Sequence, residues 1–441
     1  MGRGFLVASI VLLASLGCDG SRTSACEFTV SKNEVSGPIP TVGVVEWSLA
    51  GAPPSSAKIV YALAGAPGSI LNRGGEAPVP LAKPNYRTLL LGLKQASEYT
   101  FHIEAVRDGQ TCSSPDYALP TTGSFATSPS IAVTVSQPDK REPGFIVTSS
   151  GVFFPNSAFI IDADGDVVWY FDAPVSPTRA LMDYEGETMW MVALNVLDEG
   201  GEMDSVSMDG EQAQQSVPGL ENAHHDFTVM PGGKVAALVW HEPGNDPPSD
   251  LVIRAPDGTV STAFTIGSNL YLSDTYHADA IHYLPFDDSF TISDRNPNLV
   301  VKVSATGTPE WQVGGACAGA PAGPSCAPGD WLVNHGHHLL EDGTFLLFNN
   351  GDSGPNHVRE LKLSAAASPF AATPVEDYTG TGTGNTLGDV QRLPGGNTLV
   401  TYSTDAEIVE LDPSWNVVQT FGARVGYTSW RPTLYGPPTR P

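Results

Sequence analysis

Apolar and polar positions alternate along most of this chain, and nowhere is there a long helical period. Thr41–Ser48 alternates around Val42, Val44 and Trp47. Leu91 to Val106 reads as a turn followed by a strand of period two. Further on, short apolar strands flank a recurring turn: Met230-Pro-Gly-Gly, Leu284-Pro-Phe-Asp, Leu340-Glu-Asp-Gly and Leu393-Pro-Gly-Gly, spaced 54, 56 and 53 residues apart. Each turn is followed by an apolar run, Lys234–Trp240, Ser289–Ser293, Thr344–Phe348 or Asn397–Tyr402. Several units then close with a second turn and an outer strand, as in Ile160–Phe171, Val252–Phe264 and Ile408–Phe421.

A repeat of about 40–50 residues with four antiparallel strands is the blade of a β-propeller. Two less regular units between Gly144 and Gly219 bring the expected number to six. A single long sandwich is the competing architecture. The predicted fold class is therefore all-β, with a small sandwich over 26–125, a linker over 126–143 and a six-bladed propeller over 144–441. The 46 glycines and 37 prolines, with only 16% charged residues, suit short strands and tight turns.

The sandwich resembles a fibronectin type III domain. Trp47 sits on the second strand, and Leu93 and Tyr99 form a Leu-x(5)-Tyr corner entering the sixth. The resemblance implies a Trp47 core and a Tyr99 hydroxyl tied to backbone. It implies a spacer or adhesive role without chemistry.

Phe5–Leu16 is apolar but shorter than the ~20 residues a membrane span needs. It reads as a signal peptide over 1–17. Ala14-Ser15-Leu16-Gly17-Cys18 resembles a bacterial lipobox, which implies lipidation of Cys18 and a tether over 18–25. Such a protein works outside the cytoplasm, at the periplasm or cell surface, and touches membrane only through its lipid. Setting Cys18 aside leaves Cys26 with Cys112 and Cys317 with Cys326 as plausible pairs in an oxidising compartment. The net charge of −26 argues against nucleic acid as a partner. It also means that an anionic substrate needs a local positive site.

Nine of the ten histidines lie between His224 and His357. Their phase is more telling than their density. His225 stands five residues before Met230, and His335 five before Leu340; Asp279 takes that place in the unit between, with His277 two residues earlier. This is the start of the innermost strand, where equivalent positions of successive blades converge on one mouth of the channel. One such histidine is ordinarily a satisfied polar residue, but three in one phase point to a site. His225, His277 and His335 are expected to meet, with His224, His337 and His338 nearby.

The same stretches resemble the bacterial arylsulfate sulfotransferase family over roughly Gly144 to Tyr435. The likeness is carried by Asn222-Ala-His-His-Asp, by His277-Ala-Asp with Ile292-Ser-Asp-Arg295, by Asn334-His335 with Phe348-Asn-Asn-Gly351, and by Val390-Gln-Arg-Leu-Pro-Gly-Gly with Glu410. It implies PAPS-independent transfer of a sulfuryl group from a phenolic sulfate to a phenol through a sulfohistidine. By motif, His335 is the nucleophile, supported by His277, Arg295 and His225 or His224. Asp279, Asn350, Trp331 and Tyr276 are expected to contact substrate. Three positions depart from the family: Asn334 replaces Gln, Asp279 replaces Asn, and Asn349 replaces Asp.

The chemistry is coherent without the resemblance. A neutral imidazole with one nitrogen held is a nucleophile, and sulfuryl transfer needs fixed positive donors. No organic cofactor is expected. Two alternatives stand beside this reading. The cluster of His224, His225, Asp226, His277, Asp279 and His335 offers enough ligands for a zinc-like ion. Alternatively, the propeller binds an anion or glycan without catalysis.

Overall fold

The computed structural model describes residues 26–64, 74–151, 155–195, 200–241, 248–266, 276–315, 317, 325–364 and 370–438. The predicted signal peptide, Cys18 and its tether lie outside these residues. Almost all regular structure is β.

From Phe145 onward the strands form six successive sheets, antiparallel except where Ser325–Ala327 adds in parallel to Pro309–Gly314 at the outer edge of the fourth. The second to fifth begin with inner strands Pro177–Met182, Ala223–Met230, Ala278–Leu284 and Asn334–Leu339, and each then meanders outward. The sixth begins with Asp389–Arg392. The first sheet takes its innermost strand, Thr428–Arg431, from the end of the chain, paired with Phe145–Ser149. Each inner strand packs against the next, and Thr428–Arg431 packs against Pro177–Met182, so the six close into a ring. This is a β-propeller-like fold. Apolar side chains fill the space between successive sheets; Met230, Leu238, Ile281, Phe290 and Val301 fill it between the third and fourth.

The expected linker, 126–143, is corrected by the structure. Within it Ala132–Ser136 forms a strand that pairs with Val417–Gly422 as the fifth strand of the last sheet. Glu142 then accepts hydrogen bonds from the backbone of Gly395 and Asn397. The alternating Ala-Val-Thr-Val-Ser had a strand's pattern, and the exposed edge of the sixth sheet supplied the partner.

Residues 26–119 form two facing sheets around Trp47, Ile59, Tyr99, Phe101 and Ile103. Trp47 is wholly buried, and the Tyr99 hydroxyl accepts from the backbone N–H of Lys94 at 2.9 Å. This unit is not a free spacer. Alternate residues of Gly43–Leu49 serve two cores: Val45 and Trp47 face inward, while Val42, Val44, Leu89 and Leu91 join Val147, Ile160, Val168 and Trp169 of the propeller-like part. The Lys94 ammonium binds Asp162 and Asp164 at 2.9 and 3.0 Å, and also Asp166. Cys26–Cys112 and Cys317–Cys326 are both disulfide-bonded, as expected. Two disulfides fit folding in an oxidising, extracytoplasmic compartment. Among the described residues no helix is long and apolar enough to cross a membrane.

Candidate functional site

The site is built on a fault shared by four inner strands. Pairing with the second strand slips between Pro177 and Arg179, Ala223 and Phe227, Ala278 and Ala280, and Asn334 and His337. Bulges of this kind re-aim side chains that regular alternation would send to fixed faces. His225 adopts a left-handed backbone with φ of 52°, and Val333 one of 56° just before Asn334. Simple alternation is thus not what gathers these residues.

His225 Nε2 lies 3.0 Å from His277 Nε2. On its other side His225 Nδ1 meets His224 Nδ1 at 2.7 Å, and His224 Nε2 meets Ser249 Oγ at 2.9 Å. A continuous hydrogen-bonded row therefore runs Ser249, His224, His225, His277. The His277 backbone is clamped, its N–H donating to Asp294 Oδ1 at 2.8 Å and its carbonyl accepting from Arg295 N at 3.1 Å. That second bond sets Arg295 at the start of the turn beside the row.

From the next sheet, His335 Nε2 approaches Asp279 Oδ2 at 3.5 Å. Its Nδ1 lies 2.7 Å from Asn350 Oδ1. The orientation of Asn350 follows from its other contacts, because Nδ2 donates to the carbonyls of Gly384 and Leu387 at 2.9 and 3.0 Å. Its oxygen must then accept. His335 Nδ1 carries the proton, and Nε2 presents a lone pair toward Asp279.

Electrostatics keep this lone pair free. Burial, with the Arg295 and His277 charges, pushes His335 down to about 3. Burial first, then His277, also lowers His224 and His225 well below the usual imidazole range. The Arg295 charge acts on His225, His335 and Asp279 together, so the guanidinium belongs to this locality. Asp279 is fully buried, and burial with the neighbouring Asp294 holds its carboxyl well above the ordinary range.

No protein-family model matches the chain, and no curated protein matches it. Some solved structures show a low-scoring similarity to it. One is the virginiamycin B lyase from Staphylococcus aureus, at 12% identity and TM-score 0.39, covering 66% of this chain and 88% of the lyase. Another is a putative 6-phosphogluconolactonase from Bacteroides uniformis, at 9% identity and TM-score 0.40, covering 66% and 100%. A protein of unknown function from Bacteroides thetaiotaomicron is similar over 91% of this chain and 99% of its own, at 11% identity and TM-score 0.37. Likeness at these scores assigns neither family nor activity.

Several expected site residues lie elsewhere. Trp331 is only 3% exposed and packs with Trp311, Phe345 and Leu347 between the fourth and fifth sheets, because its ring fills space left over Gly314 and Gly329. Tyr276 packs against the core between the third and fourth sheets. Trp331 offers no free aromatic face for a substrate, whereas Tyr276 is half-buried. Asn350 holds His335 and spends its amide on the protein. His337 and His338 lie deeper along the strand: His337 Nε2 pairs with Thr291 Oγ1 at 2.8 Å, and His338 Nδ1 accepts from Arg392 N at 2.9 Å. Of the neighbouring pair, His225 rather than His224 meets His277. His224 instead stacks on Trp240 at 4.3 Å. Among the described residues, the acidic or imidazole ligand atoms that gather closely enough for an ion belong to Asp162, Asp164 and Asp166, away from this cluster.

Sequence reasoning missed a second buried cluster. Arg179 ion-pairs with Asp226 and, at 3.0 Å, with Asp389, and lies 4.4 Å over the Tyr427 ring. Tyr427 Oη donates to the Asp279 carbonyl at 2.8 Å. These contacts join inner strands of the second, third, fourth and sixth sheets beneath the histidines. A signal was present: Asp226 and Asp389 each stand four residues before the turn residues Met230 and Leu393.

Proposed function

We propose that this chain transfers a sulfuryl group from a phenolic sulfate ester to a phenolic acceptor through a sulfohistidine on His335. The reading takes the chain as an exported lipoprotein, held by acylated Cys18, with a fibronectin type III-like domain ahead of a six-bladed propeller. The observation that carries it is the Asn350–His335 pair. One ring nitrogen is committed to a 2.7 Å hydrogen bond and the other is left as an unprotonated nucleophile.

Two features support the chemistry. The Arg295 charge reaches the same locality as His335, so an anionic ester meets a positive group despite the acidic surface. The motif resemblance to arylsulfate sulfotransferases falls on these same residues.

The test is mass spectrometry of the full chain after incubation with 4-nitrophenyl sulfate. A sulfated peptide containing His335, together with nitrophenol release that His335→Ala abolishes without unfolding the protein, is the expected result. Release that survives His335→Ala overturns the proposal.

A further inference from the structure

One group beside the nucleophile has no part in the scheme above. Asp279 is completely buried, and neither carboxylate oxygen has a hydrogen-bond partner among the described residues. Ser293 is close by; its oxygen accepts from Asn334 Nδ2, and its own proton is a weak support for an Asp279 carboxylate. A buried carboxyl so poorly supported is costly if ionised. Here it is also 3.5 Å from His335 Nε2, the nitrogen that carries the lone pair.

We propose that Asp279 is the proton carrier of the reaction, donating to the departing phenolate oxygen and taking the proton back from the incoming phenol. This inference rests on the sulfuryl-transfer reading. The imidazoles suit the role poorly. His335 is the nucleophile, burial keeps His224 and His225 neutral, and His277 has its Nε2 engaged by His225 Nε2 at 3.0 Å. Asp279 is the reverse case, with burial and Asp294 favouring its neutral form. Asp226 acts in the same sense, whereas Arg295 and Ser293 oppose it. The Tyr427 hydroxyl is spent on the Asp279 backbone carbonyl.

The step balances. The His335 Nε2 lone pair forms a bond to sulfur as the sulfur–oxygen bond to the aryl group breaks. The released electron pair stays on the aryl oxygen, which takes the Asp279 proton and leaves as phenol. What remains is an N-sulfonated His335, still protonated at Nδ1, and an Asp279 carboxylate. In the second half, the acceptor hydroxyl gives its proton to that carboxylate as its oxygen attacks sulfur, and the sulfur–nitrogen bond returns its electrons to Nε2. A neutral Asp279 also removes the repulsion that an extra carboxylate would exert on an anionic donor.

The experiment compares wild type and Asp279→Asn on substituted phenyl sulfates, from dinitrophenyl to methylphenyl. Asparagine preserves size and neutrality but carries no transferable proton. The poor leaving groups should lose about 100-fold or more in kcat, and dinitrophenyl sulfate less than about tenfold, steepening the dependence on leaving-group basicity. Wild-type turnover of methylphenyl sulfate should also fall as pH rises through the Asp279 ionisation, a limb that needs no variant to observe. Equal loss across all donors, or a flat alkaline profile, overturns the role while leaving sulfuryl transfer intact. A wild type inactive toward every donor removes both readings.

Discussion

Asn350 Oδ1 and His335 Nδ1 lie 2.7 Å apart, and the two carbonyls that hold Asn350 Nδ2 leave this pair only one direction of donation. A tautomer is thereby chosen by backbone atoms of the loop at 384–387, well away from the imidazole in sequence. Everything proposed for His335 depends on that choice.

Asn350→Ala releases the imidazole to either tautomer and is expected to lower kcat by about 100-fold or more. Asn350→Asp still accepts from Nδ1–H but sets its second oxygen against the carbonyls of Gly384 and Leu387, so it should recover only part of the loss and be less stable. Nitrophenol release by both variants checks this, with circular dichroism to confirm folding.

Acid should not silence the nucleophile near the usual imidazole pKa. With His335 pushed down to about 3, it stays unprotonated as pH falls through 6.5. The profile of kcat/KM for nitrophenyl sulfate is therefore expected to remain level between pH 7 and about 5. An acid limb centred near 6.5 would contradict the assignment.

Stability carries the opposite signature. His224, His225 and His335 remain neutral in the fold, while in the unfolded chain they bind protons below about 6.5. Their lowered pKa values supply stability above that pH, and the stability drains away as pH falls toward their folded values. Asp279, held well above the ordinary range, and Asp226 and Asp204, each pushed up to about 6, act in the other sense as pH falls toward about 4. His335→Asn removes one of the histidine losses, so by urea unfolding its stability relative to wild type should improve between pH 7 and about 5.

Arg179→Ala strips the counter-charge from Asp226 and Asp389, both buried. The expected cost is about 3–5 kcal/mol, read from the urea midpoint. Arg179→Ala with Asp226→Asn and Asp389→Asn should be less destabilised than the single variant.

Trp331→Ala separates the two readings of that residue. As core it should cost about 3–5 kcal/mol of stability and leave KM for phenolic acceptors unchanged. A selective rise in acceptor KM, with stability intact, would return it to the site.

Much of the architecture was legible because strand alternation and turn chemistry are local. The spacing of Met230, Leu284, Leu340 and Leu393 carried the repeat, and the cysteine count carried both disulfides. The phase of His225, His277 and His335 brought them to one end of the inner strands. Trp331 misled because an aromatic beside a histidine segment looks the same whether it faces a ligand or a neighbouring sheet. The strand at 132–136 hid because its partner, Val417–Gly422, comes almost three hundred residues later.

Local order along the chain determined which segments become strands, where they turn and which polar residues ride on the innermost ones. Tertiary structure alone decided how those residues address each other. Bulges in four inner strands turned His225 toward His277 and His335 toward Asp279, and closure of the ring set Arg179 between Asp226 and Asp389. The physical reason is that period and propensity act over a few residues. Hydrogen-bond partners and charge balance at the centre of a closed ring come from strands that only folding makes neighbours.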